Sequence, residues 1–433
     1  MLRKSTLAVV LAAALLLFGS VSAFAYVSDR MDFGEIDFGG ATVTFLAHQN
    51  ILAQFEEGGE FAGRLEEAKE LFNIGDFELL VVDWGEVGNT ALARFLAGES
   101  NYDYWKVPFA FYWGLVSRGA LFPVNEILPD TYFEKLPKVI RDRNEQLVYK
   151  GQLFNFSAVG GYGHATFVVF NRDLIDSEGL EDPYELYRNG EWTFEKLTEM
   201  ARKVTRDTDG DGIIDQWGLN DIDPKTLVYG YGGAIARIDE NGRVYWALDE
   251  PASIAGLRQW QEWHIVDQIA SGGENEFGAG QIAFAFLPFY AIGSHTNWPF
   301  THGILPMPVS PYNDQPVYLP GGSDCSLIPA NSDYPLGLVA LDNFLWTLEM
   351  WETDRDNWNA GRIADRESYE ILLEAFDNWW PTDYYFNFLG GRWDGNLPFG
   401  KVCGDINAGI SPATAVAEAK PMAQTLIDDM FDQ

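Results

Sequence analysis

One stretch gathers carboxylates at a spacing that can do chemistry: Asp207-Thr-Asp-Gly-Asp-Gly-Ile-Ile-Asp215, closed by Gln216-Trp-Gly218. Asp207, Asp209, Asp211 and Asp215 fall at the first, third, fifth and ninth places of a calcium loop. The carbonyl of Ile213 takes the seventh, and Gly212 sits where such a loop turns sharply. Acids this close repel one another, and a bound divalent cation relieves the repulsion. The twelfth place is Gly218 in place of a bidentate Glu, and the flanks do not read as a matched helix pair. A remote acid or a water must then complete the shell around a structural Ca2+. The competing reading is a solvated loop of Asx turns without metal. Under either reading the loop is a staple, because nothing beside it offers an open catalytic position.

Other constellations carry less. Gly395-Asn-Leu-Pro-Phe-Gly-Lys401 has phosphate-loop spacing, but Val402 stands where Ser or Thr is required and Pro398 interrupts it. Gly321-Gly-Ser-Asp-Cys325 lacks the last Gly of a nucleophile elbow. His48, His164, His264, His295 and His302 lack metal-ligand spacing. Acid pairs are unavoidable among 64 acidic residues, so pairing alone does not argue for a glycosidase.

The elements that must position these groups follow from periodicity. Thr42 to Ala47 reads as a strand; Phe61, Leu65, Ala68 and Phe72 follow at helical spacing, and Phe77 to Val82 is a second strand. A helix from Asn89 and a strand from Asp103 to Val107 continue the alternation, which predicts an open α/β sheet with ligands at the carboxyl ends of its strands. Those ends are aromatic: Trp84, Trp105, Phe109, Phe111, Tyr112 and Trp113. A second α/β unit begins with Thr166 to Phe170 and a helix from Thr193. A turn at Asp239-Glu-Asn-Gly242 marks a hairpin. A long helix from Pro251 is expected to run through Ile254, Leu257, Ile265 and Ile269.

Composition bounds the class. Arg3-Lys4, the apolar run Leu7 to Phe18 and Ala23-Phe-Ala25 read as a secretory signal cleaved after Ala25, with no lipoprotein cysteine and no later membrane-spanning run. Losing Arg3 and Lys4 takes the formal charge from −35 to −37, a sign repelled by nucleic acid and by anionic lipid. At 47% hydrophobic residues the chain is not a disordered acidic tail, and its length predicts two lobes. Cys325 and Cys403 permit a disulfide without implying one. Aromatics make up 15% of the chain, and an excess of Trp and Tyr beside many acids suits a surface that grips sugars, although most aromatics serve the core.

Taken in order, Phe170-Asn-Arg-Asp-Leu174, Gly179-Leu-Glu-Asp-Pro183, Gly190-Glu-Trp-Thr193, Asp207 to Gly218, Phe277-x-x-Gly-x-Ile-Ala283 and Trp298 to Pro308 resemble the family 1 extracellular solute-binding proteins of bacterial ATP-driven (ABC) importers. This is the group that contains maltose-binding protein, and the match covers about residues 40 to 433. Gly280-Gln-Ile-Ala-Phe284 departs from the family's Gly-Lys-x-Ala-Met pattern.

The resemblance implies an α/β, two-lobed periplasmic-binding-protein fold of type II, each lobe an open sheet flanked by helices. It implies hinge crossings near Phe156, Leu319 and Trp351, with residues 26–155 and 320–352 in the N-terminal lobe and 156–319 and 353–433 in the other. It further implies a monomeric, free periplasmic protein that closes on a sugar or oligosaccharide and delivers it to ABC permease subunits, without chemistry of its own. By family position the expected contacts are Asp103, Phe109 and Tyr112 from one lobe and Tyr162, Tyr231, Tyr290 and Trp298 from the other. Gly322 and Asp324 are expected at a crossing. The alternatives are a secreted lyase or glycosidase, and a binding protein that reports to a membrane sensor.

Overall fold

The computed structural model describes residues 25–157, 164–294, 298–319, 321, 323–363, 365–378 and 386–431. The signal-like segment 1–24, the glycine-rich loop through Tyr162, Gly322 and the Trp379-Trp-Pro381 run lie outside the described residues.

Two separate four-stranded sheets organise the chain. After a short hairpin of β1 (Ala25–Val27) and β2 (Asp32–Glu35), the strands β3 (Thr42–Ala47), β4 (Asp76–Val81) and β5 (Asp103–Val107) pair in parallel with β3 central. The helices Arg64–Phe72 and Val87–Ala97 make their crossovers. The apolar spacing that defines the first of these buries Ala68 and Phe72. Beyond β5 the chain leaves this sheet. β6 (Thr166–Asn171) and β7 (Trp217–Leu219) begin the second sheet, and β8 (Ala236–Ile238) with β9 (Val244–Trp246) form the hairpin around Asp239–Gly242. β10 (Ile282–Pro288) and β11 (His302–Leu305) complete the order β11-β6-β10-β7. The chain then returns, and β12 (Cys325–Leu327) pairs antiparallel to β5, giving the order β12-β5-β3-β4.

The second sheet is less parallel than the βαβα pattern predicts: β10 runs parallel to β7, but β6 is antiparallel to both of its neighbours. Local chemistry explains the motif residues. The Asn171 side chain accepts from the N–H of Leu174 and caps the helix that follows β6, as Thr193 does for Lys196 at the start of Phe194–Val204. Gly280 has φ +85°, which lets the chain turn out of the helix Glu274–Gly278 and into β10. The helix from Pro251 is shorter than expected. It stays regular to Gln261, widens into a π turn over Glu262–Val266, and leaves Ile269 beyond its end, where its N–H bonds the carbonyl of Trp263.

Each sheet carries its own helices, Pro335–Leu345 against Arg64–Phe72 on the first and Phe194–Val204 against β7 and β10 on the second. The last helix, Pro412–Phe431, lies on β9 and on Pro251–Gln261, and its tip reaches back to the segment after β5. There Phe431 meets Trp113 and Tyr149 at ring-centroid distances of 5.6 and 5.2 Å. Cys325 in β12 and Cys403 in the helix Pro398–Asn407 are both free and buried, and burial pushes each thiol up to about 12. No helix among the described residues is long and apolar enough to cross a membrane.

Candidate functional site

The strand ends of the two sheets meet beside the crossings. β6 begins at Thr166, which bridges to Leu319, and Phe289 just after β10 donates its N–H to the carbonyl of Ala165. On the first sheet, His48 directly follows β3 and Asp324 directly precedes β12. The pairing of β12 with β5 and of β5 with β3 brings these distant residues together, and His48 Nε2 donates to Asp324 Oδ2 at 2.9 Å. The two side chains are 20% and 23% exposed, so the pair still faces solvent. The hydrogen bond to Asp324 raises the His48 pKa, against the opposing effect of burial. On the second sheet, His164 precedes β6 and Tyr290 follows β10, their rings 5.3 Å apart and inclined at 68°. Tyr290 is 45% exposed. His164 is pulled below its ordinary value, first by desolvation, while Asp324 favours its proton and His48 opposes it. A Cβ at Gly321 would sit 2.1 Å from the His164 carbonyl oxygen, so the crossing can pass here only as glycine.

A second set of polar groups ties the crossing segments together, close enough for Lys106 to feel the charge of Asp324. Lys106 Nζ, at the end of β5, donates to Ser326 Oγ at 3.0 Å and to Ser157 Oγ at 3.2 Å. Arg143 donates to Ser323 Oγ at 2.7 Å and to the Ser157 carbonyl at 2.9 Å, tying both crossing segments to one guanidinium. Asn155 Oδ1 accepts the N–H of Ser326 at 3.0 Å. Desolvation lowers the Lys106 pKa.

An aromatic shelf follows the carboxyl ends of β4 and β5. Trp84, 45% exposed, packs on Phe111 at 5.2 Å, and both follow the carboxyl ends of parallel strands. Asn89, Phe111, Arg118, Asn387 and Phe388 line a groove between this shelf and the C-terminal segment.

The residues selected from the sequence scatter more widely. Tyr290 and Asp324 belong to the junction, and Phe109 is half-buried just past β5. Tyr231 stacks on Phe194 at 4.4 Å and donates to Gln259 Oε1 at 2.7 Å, on a groove it shares with Thr193, Glu262 and Ser310. Three others sit in the core or away from the junction. Asp103 is 1% exposed, and its carboxylate accepts from Arg94 Nε at 2.7 Å, Arg94 NH2 at 3.0 Å and Trp105 Nε1 at 3.0 Å. Tyr112 is fully buried and donates to the carbonyl of Leu147 at 2.7 Å. Trp298 packs with Phe277, Phe300 and His302 beside the Asn171 end of β6, opposite the end that bridges Leu319. Tyr162 and Gly322 lie outside the described residues. Sequence reasoning named His48 and His164 only to set them aside as metal ligands, and passed over Lys106 and Arg143. The strand-end rule could have found His48 and Lys106, whereas His164 and Arg143 carry no local signal.

The acidic loop stands away from the junction, between the helix Phe194–Val204 and β7. Asp207, Asp209 and Asp215 can each offer one oxygen with all three within 4.8 Å of one another, a donor set that fits a hard cation. Asp207 also accepts the N–H groups of Gly212 at 2.7 Å and Gly210 at 2.6 Å, which hold its carboxyl below the usual range. Asp211 Oδ1 accepts the N–H of Ile213 at 2.8 Å. Gly212 takes φ +90°, as the turn requires.

No family model matches the chain, and no curated protein matches it in sequence. Solved structures do. A cyclo/maltodextrin-binding protein complexed with maltotetraose aligns at TM-score 0.65 and 16% identity, covering 90% of this chain and 98% of the other. The maltose/maltodextrin-binding domain MalE from Bdellovibrio bacteriovorus, bound to maltotriose, aligns at TM-score 0.62 and 17% identity, covering 90% and 99%. UgpB from Mycobacterium tuberculosis, in complex with glycerophosphocholine, aligns at TM-score 0.62 and 16% identity, covering 90% and 98%. At such identities the likeness is one of architecture: two α/β sheets with three chain passages between their elements, the fold of the two-lobed solute-binding proteins.

Proposed function

We propose that this protein is the substrate-binding component of a bacterial ABC importer, capturing a sugar or oligosaccharide between its lobes and handing it to permease subunits. The observation that carries the reading is the junction itself. His48, Asp324, His164 and Tyr290 converge from the strand ends of both sheets, and the exposed Trp84 follows β4, the strand paired with β3. Polar groups that converge at strand ends and aromatic faces that can stack are what a hinged clamp needs to hold a hydroxylated solute. The neighbours in fold support it, since several were solved with oligosaccharide bound. Within this reading the lobes divide at about residues 155, 319 and 352, the leading segment is removed after Ala25, and the mature monomer works in the periplasm. The protein releases its solute unchanged, so function lies in the cleft and not in bond-making.

Calcium belongs to the same proposal. Asp207, Asp209, Asp211, Asp215 and the Ile213 carbonyl would hold one Ca2+ as a staple between the helix and β7. At a hundredfold excess over its dissociation constant, such an ion adds about 2.7 kcal/mol to the folded state. The melting temperature is then expected to rise with added calcium after chelation, and Asp207→Asn is expected to remove the response. An identical melting temperature in calcium and in chelator would exclude the staple.

Calorimetric titration of the mature chain with a panel of mono- and oligosaccharides, with chromatography of the mixtures afterwards, tests the main reading. Saturable binding with the solute recovered intact is expected. A cleaved or eliminated product would replace transport with a glycan-active enzyme.

A further inference from the structure

The charges at the junction run against those of the whole chain, which has 64 acidic residues to 29 Lys and Arg. Lys106 and Arg143 have no carboxylate partner among the described residues; both spend their donors on serine hydroxyls and one backbone carbonyl. Arg143 is only 8% exposed, and its Nε finds no hydrogen-bond partner among the described residues. The nearby acids are already engaged. Asp324 accepts from His48, and Asp342 accepts from Tyr104 at 2.7 Å with Arg30 NH1 3.7 Å away. Lys106, Arg143 and two imidazoles therefore share the junction with two carboxylates, Asp324 and Asp342, each already hydrogen-bonded.

A desolvated ammonium with no carboxylate in direct contact is costly, and burial lowers the Lys106 pKa even though the charges of Asp342 and Asp324 work against it. An arriving anion would restore the balance. Lysine, a guanidinium and hydroxyls together make the donor set that receives carboxylate or phosphate oxygens. The charge of −35 does not forbid this, because repulsion from acids farther away than roughly 8–10 Å is screened at physiological salt.

We propose that the solute carries an anionic oxygen group, carboxylate or phosphate, which docks at the junction on Lys106 with Arg143 behind it. The inference rests on the transport reading for its solute but not for its test, which uses inorganic phosphate. The mature chain is melted at constant ionic strength in phosphate or in chloride, alongside Lys106→Gln and Lys106→Arg, with circular dichroism to verify folding. Phosphate is expected to raise the melting temperature saturably in the parent chain. Its dissociation constant should weaken about tenfold or more in Lys106→Gln, the scale of one charge-assisted hydrogen bond, and recover in Lys106→Arg.

Equal melting in phosphate and chloride, or a Lys106→Gln chain that responds like the parent, would overturn the site and leave the two cations as ties between the crossings. Matched solutes then identify the source: glucose against glucuronate for a carboxylate, and glucose against glucose 6-phosphate for a phosphate. Tight binding of neutral sugars with no phosphate effect would sink this inference and spare the transport reading. A phosphate effect with no sugar of either kind bound would do the reverse.

Discussion

Replacing Asp103 with Ala separates a ligand contact from a structural ion pair. The Asp103 side chain is 2% exposed and takes two hydrogen bonds from Arg94, whose own side chain is 21% exposed, and a third from Trp105 Nε1. Each bond to a charged group is worth about 1.5–3 kcal/mol. Because Arg94 keeps some contact with water, it can recover part of its solvation once Asp103 is gone, which discounts the sum. The loss is expected to be about 3 kcal/mol, most of it the penalty for leaving the Trp105 N–H and part of the guanidinium unsatisfied. At roughly 2–4 °C per kcal/mol for a lobe of this size, the melting temperature should fall by about 6–12 °C. Arg94→Ala should cost a similar amount, and the double variant should cost far less than the sum, since both remove one interaction. Calorimetry on the folded fraction should give unchanged solute affinity in all three. An Asp103→Ala chain with parental melting and lost affinity would refute the reasoning and return this carboxylate to the cleft.

Three further outcomes are expected. At Asp221 burial works to raise the pKa, but hydrogen bonds from His264 and Arg392 and the charge of Arg392 outweigh it and hold the carboxyl well below its usual range. A carboxyl lowered on folding stabilises above its unfolded value near pH ~4 and loses that contribution as the pH falls through the folded value. The stability gap between the parent chain and Asp221→Asn should therefore be full at neutral pH and shrink below about pH 4; a gap that widens in acid would contradict the assignment. Cys325 and Cys403, buried with thiols raised to about 12, should react with a thiol reagent only after denaturation, and fast labelling of the native chain would show that one of them is reachable. Phe431 is 3% exposed among Trp113, Tyr149, Phe386 and Phe388, so Phe431→Ala should destabilise by about 3–5 kcal/mol in urea unfolding; a change below about 1 kcal/mol would mean the helix tip is not docked.

Much of the scaffold is legible locally. Apolar residues at helical spacing announce Arg64–Phe72, the Asn171 and Thr193 side chains announce the helices they cap, and Asp239–Gly242 announces its hairpin. These signals act within a few residues, so one chain suffices to read them. Ile269 fails for an equally local reason, because the π turn over Glu262–Val266 shifts the helical phase that the apolar spacing assumed.

The site is a different matter. His48 and Asp324 stand 276 positions apart and meet only because β12 pairs with β5 and β5 with β3. No periodicity carries information over that distance. The aromatics make the same point: Tyr112, Trp113 and Trp84 all follow strand ends, yet packing buries the first two and leaves the third 45% exposed. Residue types and spacing determined that this protein has helices and strands of these kinds, an acidic loop suited to a cation, and aromatic and polar groups at strand ends. Which of those groups face the junction and which fill the core was decided by the tertiary structure, because burial depends on what packs above a side chain and not on its neighbours in the chain.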